Sequence, residues 1–182
     1  MMSVADGSLW RHACGLASDA PSVLELGTCR QGADSTSCRD TVGRAGQTWV
    51  RSDIQDGRDV DRVADIHNLA DVFGAASFDM VICRSVFEHV QRPWIAAAEI
   101  VAVLRPGGHL YVQTHHTFPL HAYPDDYWRF STDALRLLFV DAGADVVDAQ
   151  YLFPAQIVPP DVTPWNPDAP AWLNVDVLAR RP

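Results

Sequence analysis

The sequence predicts an α/β fold built on one doubly wound, mostly parallel β-sheet, and three observations predict it. Residues 78–115, FDMVICRSVFEHVQRPWIAAAEIVAVLRPGGHLYVQTH, read as a buried strand, a short polar loop, a helix, a Pro-Gly-Gly turn and a second buried strand. That is one strand–helix–strand unit of a parallel sheet. Upstream, residues 22–27, SVLELG, form an apolar run ending in glycine, which suits a strand buried on both faces. Strands and helices then alternate along most of the chain, the pattern of a sheet covered on both sides.

Taken in order, residues 1–20 are short and weakly patterned, and read as a loose arm or as one helix covering the site. Residues 22–27 are the first strand, 48–53 (TWVRSD) the second, and 60–65 (VDRVAD) a short third. The intervening ADSTSCRD is too polar for a good amphipathic helix, so the first crossover helix is expected to be short or irregular. Residues 69–75 add a brief helix or turn before the strand at 78–83. Pro93 suits the first turn of a helix, where its fixed φ and missing N–H cost nothing. Across 94–104 the positions Ile95, Ala98, Val101 and Ala102 recur at helical spacing. Pro106-Gly107-Gly108 then stops the helix and turns the chain into a strand at 109–115. Residues 131–140 carry Leu135, Leu138 and Phe139 on one helical face, with Ser131 or Thr132 as N-cap. Residues 144–153 and 172–179 read as final strands, joined by a proline-rich stretch (154–171) that suits no regular element.

Length and composition bound the function. The 182 residues suit one domain spanning 1–182, and 48% hydrophobic content fits a globular chain. The 23 acidic residues outnumber the 14 basic ones, for a net charge of −9. That balance argues against nucleic acid as a partner, since such binding draws on neutralised phosphates. All 14 basic residues are arginine. The absence of lysine eliminates a Schiff-base nucleophile and a P-loop. Cys14, Cys29, Cys38 and Cys83 form no CxxC pair and no zinc-ribbon spacing. No leader pattern and no apolar run near the ~20 residues of a membrane span is present, so a cytoplasmic protein with no membrane partner is expected. A homo-oligomer remains open.

The order FDMVIC, FEHV, LRPGGHLYV resembles the fourth and fifth strands of class I S-adenosylmethionine-dependent methyltransferases. The phrase FPLHAYPDDYWRF is similar to a loop, HxYPxDYWRF, of small bacterial methyltransferase-like proteins. With ADIH, the resemblance spans roughly residues 22–150. It implies a Rossmann-like sheet with an antiparallel last strand, S-adenosylmethionine as cofactor, and methylation of oxygen or nitrogen on a small-molecule substrate.

Ligands of such sheets bind at the carboxyl ends of the strands. The resemblance assigns Glu25 and Gly27 to the turn under the cofactor's amino-acid part. The chain then departs from the family's glycine pattern with Thr28-Cys29-Arg30-Gln31-Gly32, where Thr28 and Arg30 are candidate contacts. Arg30 either faces the cofactor carboxylate or is solvated. Asp53, ending the second strand, is placed to accept both ribose hydroxyls, with Ile54 beside it. Asp65 is assigned to the adenine amino group and Ile66 to the ring face, and Arg84 to the backbone end of the cofactor. Glu88 is read as part of a helix start, and His89 is left open.

The acceptor side falls to residues 113–130, dense in titratable and aromatic groups. A hydroxyl or ammonium acceptor sheds a proton, and histidine suits that task. The candidates are His116, His121 and His115, with Asp126 orienting an imidazole. Tyr123, Tyr127 and Trp128 are candidate pocket walls. Arg129 either meets an anionic acceptor or pairs with Asp125 or Asp133. Two rivals stand beside this reading. Histidines 115, 116 and 121 could bind a metal, but HHx4H fits no standard zinc motif, so no metal is expected. The chain could also bind cofactor without catalysis.

Overall fold

The computed structural model describes residues 7–29, 37–121, 125–158 and 170–182. Along the chain these form α1 (Ser8–Asp19), β1 (Ser22–Leu26), α2 (Cys38–Val42), β2 (Thr48–Asp53), β3 (Arg62–Val63), α3 (Leu69–Phe73), β4 (Phe78–Arg84), α4 (Pro93–Val103), β5 (Leu104–His115), α5 (Thr132–Asp141), β6 (Asp145–Ala155) and β7 (Ala171–Arg180). Short 3₁₀ turns lie at Ile66–Asn68 and Phe87–His89. The strands pair in the order β3-β2-β1-β4-β5-β7-β6. The first five are mutually parallel, and β7 runs antiparallel to both β5 and β6. The last strand is thus antiparallel and near an edge, as expected, with β6 as the edge strand itself.

Alternate residues of the central strands feed two apolar layers. Val23, Met80, Ile82, Tyr111 and Leu178 pack beneath Leu9, Ala13 and Ala17 of α1. Leu24, Val81, Cys83, Leu110 and Val112 face α4 and α5 on the other side. Burial on both faces explains why these strands are continuously apolar. Ser8–Asp19 are therefore a helix, held by its own apolar stripe. Crossover α2 is short, as its polar sequence implied.

Three expectations need correction. The buried residues of α4 are Pro93, Ala96, Ala97, Ile100, Val101 and Val103; of the four expected positions Val101 is buried, Ile95 and Ala102 are half-buried and Ala98 is exposed. An alanine-rich helix carries little contrast between its faces, so helical spacing alone did not single out the buried stripe. The Pro-Gly-Gly turn does not precede β5 but interrupts its start. Leu104 pairs with Phe78, the register shifts, and pairing resumes at Met80 with His109. A side chain at Gly108 would sit 3.0 Å from the Asp79 carbonyl oxygen, so that bulge needs glycine. Finally β6 runs on through Pro154, which faces Trp172. Proline is tolerated there because β6 is an edge strand. No helix among the described residues is long and apolar enough to cross a membrane.

Candidate functional site

The carboxyl ends of β1, β2, β4 and β5 open onto a cavity of about 920 Å³. At its β1 end Gly27 adopts φ 76°, and a Cβ there would lie 2.2 Å from the Val86 side chain. Glycine is required on both counts. The Gly27 N–H donates to the Ser52 carbonyl at 2.9 Å, which folds the turn across to the end of β2. Thr28 follows on the cavity wall. Arg30 lies outside the described residues.

Glu25 is buried, and its carboxylate is turned to structure. It accepts from Ser37 Oγ (2.6 Å), the Cys38 N–H (2.7 Å) and the Trp49 indole (2.9 Å). It thereby satisfies the orphan donors at the start of α2, a role its position in the sequence did not show.

Asp53, half-buried at the end of β2, accepts the Cys29 N–H at 2.9 Å and the Gln55 N–H at 3.0 Å. Those bonds fix the carboxylate and leave acceptor capacity for further donors. Ile54 beside it is an exposed apolar side chain on the cavity wall. Asp65 caps the 3₁₀ turn, accepting from the His67 backbone at 2.9 Å and from its Nδ1 at 2.7 Å. His67 Nε2 in turn accepts the Arg92 N–H at 3.3 Å, so Nδ1 carries the ring hydrogen. Partial burial pushes the Asp65 carboxyl up, but the His67 hydrogen bonds outweigh it and hold the group below its usual value. Ile66 lines the wall beside it. Arg84, closing β4, lies 4.8 Å over the Trp10 ring of α1 and borders the cavity.

The opposite end is built from two loops. Glu88 is fully buried, and its backbone carbonyl accepts the N–H groups of Tyr127 (2.8 Å) and Trp128 (3.2 Å), tying the two loops together. Its Oε2 accepts from Thr114 Oγ1 at 2.7 Å. Its Oε1 lies 3.0 Å from His115 Nε2 and 3.9 Å from His89 Nε2, yet has no aligned hydrogen-bond donor. Burial pushes the Glu88 carboxyl up; His115 and the Thr114 hydroxyl overcome this and keep it below the usual value. Phe118 stacks on the His115 ring at 4.0 Å, and His121 sits edge-on to His115 at 5.1 Å and to His89 at 4.8 Å. Tyr127 borders this end, its hydroxyl on Asp125.

Four expected site residues lie elsewhere. His116 is the neighbour of His115 on an extended backbone, so it faces away. Its Nδ1 meets the Phe130 carbonyl at 2.7 Å and its ring meets Tyr151. Arg129 pairs with Asp126 through two nitrogens and donates to the carbonyls of Phe118, Pro119 and Trp128. That pairing holds the Asp126 carboxyl well below the usual range, aided by the His121 N–H at 2.9 Å. Arg129 and Asp126 therefore organise the loop from behind. The Trp128 indole donates to the Val90 carbonyl at 2.9 Å and the ring meets Trp94, which makes it packing. Tyr123 lies outside the described residues. Sequence reading undervalued Glu88; being one of three glutamates among 20 aspartates was the available signal.

A family model described as a methyltransferase domain matches residues 36–112. No curated protein matches the sequence. Among solved structures, the fold is similar to an S-adenosylmethionine-dependent methyltransferase from Archaeoglobus fulgidus, with TM-score 0.69 and 11% identity, covering 96% of this chain and 92% of that one. One from Mesorhizobium loti gives 0.66 and 15%, covering 96% of each chain. The Burkholderia thailandensis 1,6-didemethyltoxoflavin-N1-methyltransferase, solved with 1,6-didemethyltoxoflavin and S-adenosylhomocysteine, gives 0.62 and 18%, covering 97% and 79%. The fold is thus the Rossmann-like fold of S-adenosylmethionine-dependent methyltransferases.

Proposed function

We propose that this chain transfers a methyl group from S-adenosylmethionine to an oxygen or nitrogen of a small-molecule acceptor. The observation that carries the reading is the continuity of one cavity. Carboxylates suited to a nucleoside line one end, and imidazoles line the other. Its volume of about 920 Å³ accommodates the cofactor and a small acceptor together.

In this reading Asp53 accepts the ribose hydroxyls, Asp65 meets the adenine amino group, and Ile54 and Ile66 pack on the ring. The turn at Gly27 and Thr28 lies under the amino-acid part, and Arg84 reaches its carboxylate. The acceptor enters between Tyr127, Phe118 and the imidazoles. In the in-line displacement its lone pair forms the new bond to carbon, the carbon–sulfur bond breaks, and sulfur keeps the electron pair as S-adenosylhomocysteine. Alignment and exclusion of water supply most of the acceleration.

An O–H or N–H acceptor also sheds a proton. His89 suits that task by its place at the acceptor end of the cavity. Its Nδ1 lies on the Asp125 carbonyl, which can only accept, so Nδ1 carries a hydrogen, and its Nε2 stands 3.9 Å from Glu88 Oε1. The acidic surface and the family likeness favour a small metabolite over nucleic acid, and a cytoplasmic setting belongs to the same proposal.

The test is calorimetric titration with S-adenosylhomocysteine, followed by an assay for its production from S-adenosylmethionine over a panel of small phenols, carboxylates and amines. Binding with turnover on one class supports the reading. Absence of binding rejects it, and binding without turnover on any acceptor would favour a non-catalytic cofactor-binding protein.

A further inference from the structure

The cluster at the acceptor end has a geometry that proton transfer does not use. Glu88 Oε1 and His115 Nε2 approach to 3.0 Å, yet the carboxylate oxygen is buried and has no aligned hydrogen-bond donor. An ordinary ion pair would align the N–H on the oxygen. A cation standing between the two atoms would take a lone pair from each at the separation seen here. Donor atoms on a shared divalent cation sit roughly 3.0–3.4 Å apart, from bond lengths of about 2.1 Å.

We propose that Glu88, His115 and His121 form a binding site for a first-row divalent cation on the acceptor side of the cavity. The three side chains place one donor atom each within 4.8 Å of one another. Two imidazoles and one carboxylate form a set used by zinc, iron and manganese sites. Two of the three donors have a support behind them, while His115 Nδ1 is buried without a hydrogen-bond partner. Thr114 fixes the other oxygen of Glu88 at 2.7 Å. His121 Nδ1 faces the Pro119 carbonyl at 3.3 Å, which puts the hydrogen on Nδ1 and directs Nε2 inward, and Asp126 stands 3.7 Å from the same nitrogen. Such outer partners orient metal-binding imidazoles. Closing the set requires the His121 ring to move by roughly 1.5 Å, from the 4.8 Å spread to the spacing above. The histidine-only set HHx4H was rejected on spacing; this set replaces His116 with a glutamate from another loop.

The inference rests on the acceptor-side reading, so the experiment separates the two. Chelator-stripped protein is titrated in separate calorimetric runs with Zn²⁺, with Mn²⁺ and with S-adenosylhomocysteine. One equivalent of at least one cation should bind the native chain. Glu88→Gln and His121→Ala should each weaken that binding by roughly tenfold or more, the scale of losing metal-site groups. His116→Ala should leave it unchanged. Should Glu88→Gln lose its circular dichroism, His121→Ala at its half-buried position still decides. Failure of both cations to bind stoichiometrically overturns the proposal, as does binding that survives Glu88→Gln and His121→Ala or disappears with His116→Ala. If S-adenosylhomocysteine binds while neither cation does, the cation site falls and the methyltransferase reading stands; the converse pair of results leaves the cation site standing and rejects that reading.

Discussion

Tyr111 donates a 2.8 Å hydrogen bond to Asp176 in the middle of the sheet, beneath α1. Both side chains are buried, and the second Asp176 oxygen has no hydrogen-bond partner. Burial pushes the Asp176 carboxyl up to about 6, with Tyr111 and Gln150 only partly offsetting it. The same environment pushes the Tyr111 hydroxyl above its usual value.

A pH dependence of stability follows. The unfolded carboxyl titrates near 3.9. Between that value and about 6 the folded chain holds a proton that the unfolded chain has released. Stability from this group therefore falls as pH rises through that window and levels off above it. Asp176→Asn removes the ionisation and should raise stability at pH 7.5 by up to about 2–3 kcal/mol, at ~1.4 kcal/mol per unit. The gain should vanish near pH 4. Urea unfolding at the two pH values measures this, and an equal effect at both would assign it to packing.

Asp53→Ala should weaken S-adenosylhomocysteine binding by about 2–4 kcal/mol, since bonds to a charged acceptor are each worth about 1.5–3 kcal/mol and do not add fully. The variant also releases the Cys29 N–H that Asp53 holds, so the turn after Gly27 loses its anchor. Calorimetry on the native chain and the variant gives the difference directly. Unchanged affinity would remove Asp53 from the cofactor site.

Gly27→Ala tests the turn itself. The added Cβ meets Val86 at 2.2 Å on a left-handed backbone, so the turn and the loop after β4 must separate. Overpacking of this kind costs about 1–3 kcal/mol, and a positive φ adds about 1 kcal/mol. A fall in the urea midpoint and weaker S-adenosylhomocysteine binding should appear together. If stability falls and affinity does not, the turn is scaffold only.

The central strands β1 and β4 were legible because burial on both faces keeps their apolar runs continuous and glycine or a polar loop closes each run. Asp53 could be placed at the cavity because it ends β2, whereas Asp65 lies two residues beyond the two-residue β3 and caps the turn that follows. The acceptor end was less legible. Glu88 acquires its meaning from Thr114, 26 residues away in the chain, and from His115 beside it, and only the β4–β5 pairing brings them together. His115 and His116 differ by one residue and so face opposite ways, a distinction that period-two reasoning offers once the strand is known to reach His115. Arg129 was within reach of local reasoning, because its partner Asp126 stands only three residues away.

His89→Ala separates the roles at the acceptor end. The ring meets His121 and its Nδ1 the Asp125 carbonyl, both on the acceptor side, so S-adenosylhomocysteine affinity should stay within about twofold, an effect below ~0.5 kcal/mol as for independent sites. Turnover on an ionisable acceptor should fall by roughly 10²–10⁴, the usual loss for a general base. The comparison with His116→Ala is the sharper half of the test, because that imidazole is bonded to the Phe130 carbonyl outside the cavity. His116→Ala should retain turnover. A loss confined to His116→Ala would mean that the acceptor approaches from the β6 side of the loop, and His89 would then be structural.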